Sequence, residues 1–566
     1  MMTAQQDTVR DVIERSIERH GTGRDCLIPV LQDVRKRFHS ISDLAMQTVA
    51  DRLGVSPMEV YGVVSFFPLL DKKRHGRFHI QVCRTVTCDM AGKDAIAQQL
   101  RNDLGIEFGE TTPDGRYTLE WVNCMGLCDQ GPALSVNEHV FTRVTAAQVH
   151  DILTACAQRF DSQALTDEEA HAALPIRNEM TLATIEKNAG LEAALALTPA
   201  QVVDAVRDSG LRGRGGAGFL TGLKWSLAAS APGDRRYLIC NGAEGEPGAF
   251  KDRVTLLEWP DLVFEGMTIA GYAIGAAEGV LYLRGKYASL QRRLESCLQR
   301  RREAGMLGQA ILGKPGFDFD IRIYSGSGAY ICGEETALIE SMEGRRGEAR
   351  NRPPFPVSTG FHGAPTSVNN VETCAWTSAI FAKGASWFKS LGTQKSMGPK
   401  LLSVSGDVAR PGVYEFPLGV SVKEVLRIAG GENAKAVAVA GASGPCIPAS
   451  QFDRVFSYED LSTNGAVIVF GPHRDMLHVA ESFLDFFVDE SCGQCAPCRI
   501  GSAALLEGVR KLKRGACSSR QLRDLCSLGE TMRLTCKCGL GQSAPTVFLS
   551  IVTHFREEAL GRAAAI

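Results

Sequence analysis

A chain of 566 residues has room for three to five domains of about 100–200 residues each. With 44% hydrophobic and 22% charged residues it is neither disordered nor fibrous. A formal net charge of −2 excludes the broad basic surface that nucleic acid or an anionic membrane attracts.

Residues 1 to about 75 read as a helical bundle. Leu27, Val30, Leu31, Val34 and Phe38 recur at three and four residues and mark one apolar face. Ser56, Pro57 and Glu59 form a capping-box start, with proline at the first helical position. From 76 to 160 the pattern is that of a small α/β domain. Phe78 to Cys83 and Tyr117 to Val122 alternate like strands, while Gly92 to Leu104 and Ala146 to Arg159 read as helices. A polar, alanine-rich linker is expected over 161–180.

The segment 181–398 is the largest unit. Strands at Tyr237–Cys240, Val280–Leu283 and Phe319–Tyr324 alternate with helices, which predicts an α/β layer architecture. The longest apolar stretch, Val263 to Leu283, is interrupted by Glu265 and Glu278 and reads as a buried helix and strand, not a membrane span. Residues 399–472 read as a small β-rich module, with "LLSVSGDVARPGVYEF" as strand, turn, strand and "SVKEVLRIAGG" as a short helix stopped by glycine. The last segment, 473–566, is mostly helical.

The chain has 18 cysteines, and Met1 to Arg24 contains no apolar signal segment. The expected location is cytoplasmic, where thiols stay reduced and clustered cysteines point to metal more than to disulfides. Cys492, Cys495 and Cys498 have C-x2-C-x2-C spacing, and Cys538 follows in "KCGLGQ". Three thiolates converging on so small a volume suit a cubane cluster with a remote fourth ligand. Zinc, the alternative, prefers two separated pairs. Cys536 and Cys526 compete with Cys538 for the fourth position. A second group, Cys83 with Cys88 and Cys124 with Cys128, places two thiols after each of two strands, the two-plus-two arrangement of a [2Fe–2S] cluster. Zinc or two disulfides are the alternatives there. Cys26, Cys156, Cys240, Cys297, Cys332, Cys374, Cys446 and Cys517 are scattered and read as small buried hydrophobes.

"SGLRGRGGAGFLTGLKW" contains Gly213-x-Gly215-x-x-Gly218, which formally matches a dinucleotide fingerprint. A helix pattern, "PAQVVDAVRDSG", precedes it where the fingerprint needs a strand, so it is not the usual Rossmann turn. Its glycines still allow close approach of backbone N–H groups to a phosphate or a flavin, and Lys224 adds positive charge. A tight structural turn is the alternative. Two further loops, "CNGAEGEPGAFKDR" and "GSGAYICGEETALIESMEG", follow strands and suit a cofactor site at strand ends. Their carboxylates, Glu246 and Glu335 among them, can accept from ribose hydroxyls or can cap helices.

Residues 181–550 resemble the flavin-binding, NADH-oxidising subunit of respiratory complex I. The resemblance rests on "RGRGGAGFLTGLKW", "GAYICGEETALIESMEGRRG", "PPFP", "VNNVET", "ESCGQCAPCRIG" and "CGLGQ". Residues 15–160 resemble the small two-iron subunit of the same enzyme, fused in front. That fusion, with "GFDFDIRI" and "EDLSTNGAVIVF", is similar to the diaphorase large subunit of soluble NAD-reducing [NiFe]-hydrogenases. Diaphorase subunits of NAD-dependent formate dehydrogenases are the competing family.

The resemblance implies an α/β multidomain chain: a helical bundle (1–75), a thioredoxin-like [2Fe–2S] domain (76–160), a Rossmann-like FMN/NAD(H) domain (181–398), a ubiquitin-like β-grasp, soluble-ligand-binding module (399–472) and a helical [4Fe–4S] domain (473–566). FMN is then held by Gly213, Gly215, Gly216, Gly218, Lys224, Asn241, Gly333, Asn369 and Asn370. NAD(H) stacks over it with Phe219, Glu246, Glu335 and Phe355, and Glu244, Tyr330 and Glu334 complete the site. The [4Fe–4S] ligands are Cys492, Cys495, Cys498 and Cys538, and the [2Fe–2S] ligands are Cys83, Cys88, Cys124 and Cys128. Three positions depart from the family pattern. Ala243 stands where a carboxylate is common, Leu227 where an aromatic is common, and Arg352 where lysine is frequent, keeping charge but not geometry.

The implied reaction is NADH + acceptor ⇌ NAD⁺ + reduced acceptor, with no catalytic side-chain base. In a hydrogenase complex it would couple H2 oxidation to NAD⁺ reduction. The implied partners are a small iron–sulfur diaphorase subunit and hydrogenase subunits, with no nucleic acid and no membrane span. An electron-relay subunit without nucleotide turnover is the non-enzymatic rival, favoured by Ala243 and Leu227.

Overall fold

The computed structural model describes residues 2–159, 178 and 180–560. The linker expected over 161–180 lies, apart from Asn178 and Met180, outside the described residues. Helices Met2–His20, Leu27–Phe38, Asp43–Leu53 and Pro57–Val64 open the chain. Leu27, Val30, Leu31 and Val34 are fully buried, as their spacing requires. Glu59 reaches back to accept from the Ser56 N–H at 3.2 Å, with Pro57 at the first helical position.

Strands β1 (Phe78–Cys83), β2 (Tyr117–Val122), β3 (Leu134–Val136) and β4 (His139–Phe141) form a sheet in the order β2-β1-β3-β4. β1 and β2 run parallel, joined through the helix Lys93–Leu104, and the β3–β4 hairpin closes the other edge. That hairpin was not expected, because three residues per strand are too few for alternation to show.

The central unit is a four-stranded, all-parallel sheet of β5 (Tyr237–Gly242), β6 (Glu278–Leu283), β7 (Asp320–Ser325) and β8 (Thr366–Asn370), in the order β7-β6-β5-β8. Helices Pro260–Ile274 and Val371–Lys383 bury almost every side chain. Strand order reverses between β5 and β8, which opens a crevice at their carboxyl ends, where doubly wound sheets bind ligands.

β9 (Pro399–Gly406), β10 (Gly412–Pro417), β11 (Ala436–Val439), β12 (Cys446–Pro448) and β13 (Ala466–Phe470) make a mixed sheet, β10-β9-β13-β11-β12, packed with the helix Val422–Ala429. The chain then becomes helical, with Met476–Glu490, Ala496–Lys513, Ser519–Thr535 and Thr546–His554 the longer elements. Among the described residues no helix is long and apolar enough to cross a membrane.

Candidate active site and metal centres

A cavity of about 980 Å³ opens at the carboxyl ends of β5 and β8. All the glycine-loop, asparagine, carboxylate and aromatic residues expected at a cofactor site line it: Gly213, Gly215, Gly216, Gly218, Phe219, Lys224, Asn241, Glu244, Glu246, Tyr330, Gly333, Glu334, Glu335, Phe355, Asn369 and Asn370. The glycine loop follows the helix Pro199–Asp208, not a strand. Gly218 adopts φ +66°, and a Cβ there would lie 2.4 Å from the Tyr458 ring, so only glycine fits. A Cβ on Gly333 would meet no protein atom within 4 Å. Phe219 and Phe355 are half exposed on the cavity wall.

Strand ends fix the amides. Asn241 donates to Gly333 O at 2.9 Å and accepts from Ala243 N. Asn369 accepts from Trp225 Nε1 at 3.1 Å, and Asn370 donates to Asp252 Oδ2 at 2.7 Å while capping the helix Val371–Lys383. Lys224 donates to Val368 O and lies 3.3 Å from Glu335. Glu334 caps the helix Glu335–Met342 through one oxygen, and its Oε1 is buried without a hydrogen bond beside the cavity.

Two of the carboxylates are engaged by the protein itself. Glu246 accepts from Ser443 N, Ser443 Oγ and Tyr330 OH, and burial pushes it up to about 7. Glu244 accepts from Asp252 N, Arg253 N and Tyr287 OH, and burial with Asp252 nearby raises it to about 7 as well. Leu227 lies exposed on the cavity wall, Ala243 is buried, and Arg352 lies 6.0 Å over the Phe355 ring.

The chemistry of this wall fits a flavin nucleotide. It has a glycine backbone that approaches closely, a lysine for phosphate, amides at strand ends and a carboxylate oxygen, Glu334 Oε1, that makes no hydrogen bond and lies 3.8 Å from Arg352. Lys251 and Asp252 also line the cavity, and behind them lies a buried charge cluster that the motifs do not reveal. Lys251 lies 2.6 Å from Asp252 and 3.0 Å from Glu372, and Lys400 reaches Glu372 at 2.5 Å, all buried. Burial opposes ionisation of Glu372, but Lys400 and Lys251 hold it down at about 2. "FKDR" and "VNNVET" contain three of these charges, but nothing in the spacing shows that they meet. The β-rich module adds Ser443 and Ser462 to Asn464, and the C-terminal unit adds Gly539, Leu540, Gln542 and Ser543.

Both thiol groups assemble. Cys83 ends β1 and faces Cys88, while Cys124 Sγ lies 3.4 Å from Cys128 Sγ, and the four thiols share one electrostatic environment. Cys88 sits in a short helix, Val86–Met90, which Thr85 begins two residues after the strand. In the C-terminal group Cys495 precedes the helix Ala496–Lys513, Cys498 sits in its first turn, and Cys538 precedes the short helix Gly539–Ser543. Cys536 joins them: a Cβ on Gly541 would lie 2.8 Å from its Sγ and 2.9 Å from Cys498 Cβ. The eight scattered cysteines are all buried.

Four family models match in succession: "Thioredoxin-like [2Fe-2S] ferredoxin" at 13–157, "Nuo51 FMN-binding domain" at 206–378, "SLBB domain" at 401–446 and "NADH-ubiquinone oxidoreductase-F iron-sulfur binding region" at 478–562. The NAD-reducing hydrogenase HoxS subunit alpha of Cupriavidus necator is 43% identical over 559 residues, covering 96% of this chain and 92% of that one. The NADP-reducing hydrogenase subunit HndC of Solidesulfovibrio fructosivorans is 44% identical over 65% of this chain and 77% of its own. A chain of the crystal structure of an NAD⁺-reducing [NiFe]-hydrogenase in the H2-reduced state superposes with a TM-score of 0.90 at 37% identity, covering 95% of this chain and 94% of that one. Fold and matches together define an oxidoreductase that uses NAD(H), FMN, a [2Fe–2S] and a [4Fe–4S] centre. Within that class, the chain belongs to the family of diaphorase alpha subunits of NAD-reducing hydrogenases, homologous to the F subunits of NADH-quinone oxidoreductases.

Proposed function

We propose that this chain exchanges hydride equivalents with NAD(H) at the β5/β8 crevice and passes single electrons through its iron–sulfur centres to and from a hydrogenase module. The supporting observation is convergence: residues from 213–224, 241–246, 330–335, 355 and 369–370 line one cavity at the switch point of the sheet. Bound FMN supplies the conversion between a two-electron hydride and single electrons. The chain's own residues orient the reactants. Gly213, Gly215, Gly216 and Gly218 bring backbone donors close, and Lys224, steadied by Val368 O and Glu335, offsets phosphate charge. Asn241, Asn369 and Asn370 would hold the strand-end edge, Gly333 would leave room for the flavin, and Phe219 and Phe355 would offer apolar faces to the nucleotide. Glu244, Glu246, Tyr330, Glu334 and Glu335 form its polar wall. No side chain is assigned as a general base.

Cys83, Cys88, Cys124 and Cys128 are the proposed [2Fe–2S] ligands, and Cys492, Cys495, Cys498 and Cys538 the [4Fe–4S] ligands. Ile500 and Leu534 stand exposed, two residues beyond Cys498 and two before Cys536. They mark the face on which a small iron–sulfur subunit, and through it the hydrogenase subunits, would dock in a cytoplasmic complex. The test is anaerobic reduction of a viologen by NADH on the isolated chain, with flavin and iron measured alongside. Dye reduction with about one FMN and roughly six irons per chain is the expected result. Iron without flavin or turnover would leave an electron relay.

A further inference from the structure

Away from the flavin cavity and both thiol groups, two imidazoles and a carboxylate meet where the N-terminal helices join the small sheet. His75 lies between the helix Pro57–Val64 and β1, His79 on β1, and Glu120 on β2. The parallel register pairs His79 with Thr118 and Gln81 with Glu120, so His79 and Glu120 share one face of the sheet. His79 Nε2 lies 2.8 Å from Glu120 Oε2, and His75 Nδ1 lies 3.9 Å from Glu120 Oε1. One potential ligand atom from each residue falls within 4.8 Å of the others.

The His75 side chain is only 1% exposed, and its Nδ1 is buried without a hydrogen bond. Its other nitrogen, Nε2, lies 2.8 Å from Asp71 Oδ2. A carboxylate only accepts, so the hydrogen of a neutral His75 sits on Nε2 and the bare lone pair of Nδ1 faces Glu120. Glu120 also only accepts. The buried Nδ1 lone pair thus meets no donor and lies 3.9 Å from an oxygen that also only accepts, so a cation placed between the two would satisfy it. A carboxylate behind an imidazole is also the usual outer support of a metal-bound histidine.

We propose that His75 Nδ1, His79 Nε2 and Glu120 form a divalent-metal site of zinc type that clips the N-terminal helices to the [2Fe–2S] domain. Three protein ligands leave a fourth position for water. Glu120 and Gln81 line a separate cavity of about 240 Å³ between the small sheet and the flavin unit, which provides entry and room for that water. The site is not part of the cluster: His79 precedes Cys83 by four residues of strand, about 13 Å. Lys73 Nζ lies 3.3 Å from Glu120 Oε1, and Arg35 and Lys286 also feel the Glu120 charge. These cations lower the affinity, so the test reads binding directly and does not rely on metal retained through purification.

Holoenzyme with flavin and both clusters in place is dialysed to equilibrium against Zn²⁺, and zinc and iron are counted per chain. Zinc at one per chain is expected for the unmodified protein, with iron content and the cluster EPR signals unchanged. His79→Gln removes a ligand and should abolish that binding. Asp71→Asn removes only the outer support and should weaken it about tenfold or more. Should His79→Gln fail to fold, Asp71→Asn decides the matter alone. No zinc on the unmodified protein overturns the site, and so does zinc uptake that Asp71→Asn leaves unchanged.

Discussion

Glu246 has three hydrogen-bond donors but no cationic partner, and burial raises it from its ordinary 4.5 to about 7. A carboxyl raised on folding binds more protons in the folded than in the unfolded chain. Its contribution is therefore complete below the unfolded value and is lost as pH rises through about 7. The loss amounts to about 3 kcal/mol for a shift of this size. Thermal scans of the holoenzyme between pH 5 and pH 8 should show stability falling, and Glu246→Gln should flatten part of that fall. Glu244, raised to about 7 by burial and Asp252, works in the same direction, while Lys400, lowered to about 7 by burial, works in the opposite one. A second contrast lies at the C-terminal thiols. Cys538→Ser should remove the [4Fe–4S] EPR signal and about four irons, while Cys536→Ser should leave both. The two thiol groups are legible in the sequence because their cysteines come in short runs, 83/88, 124/128 and 492/495/498. The rank of Cys536 against Cys538 is not, since both reach the same volume and spacing cannot order them.

At the scale of elements, the glycine loop shows what a motif conveys and what it omits. Gly213-x-Gly215-x-x-Gly218 was set apart from the Rossmann fingerprint because a helix precedes it, and the helix Pro199–Asp208 is there. β8 was not read as a strand: "TSVNN" is polar and ends in two asparagines, so neither alternation nor hydrophobicity marks it. Yet this strand makes the crevice. The three strands read in this unit begin and end within two residues of their observed limits: β5 and β6 are nearly continuous apolar runs buried on both faces, and β7 alternates as an edge strand does. Gly333 offers a clean test of the cavity. Its backbone is open to alanine, and the added Cβ meets no protein atom. Gly333→Ala should fold and keep its iron, yet copurify with well under half the flavin, as read by FMN released on denaturation.

For the whole molecule the informative contacts join segments far apart in sequence, and these no pattern within a segment could reveal. Arg253 from the flavin unit donates to Gly126 O at 3.0 Å and Asp129 Oδ1 at 2.9 Å, while Arg284 bridges Cys124 O and Glu244 O. Gly248 N donates to Cys128 Sγ at 3.3 Å. The loop that bears two proposed [2Fe–2S] ligands thus rests on the segment that also lines the flavin cavity. Arg253→Met would strand the buried Asp129 carboxylate, at a cost of about 3–5 kcal/mol. On heating, the [2Fe–2S] EPR signal of that variant should disappear at a lower temperature than in the unmodified chain, with flavin still bound.

Because Arg253 and Asp129 belong to one polypeptide, their contact forms at an effective concentration set by the chain between them and not by the amount of protein in solution. The arginine contacts add to a shared apolar core in which the N-terminal helices pack against Tyr282, Tyr324 and Leu338. Fusion fixes the ratio of the two redox units at one to one, and dilution cannot separate them.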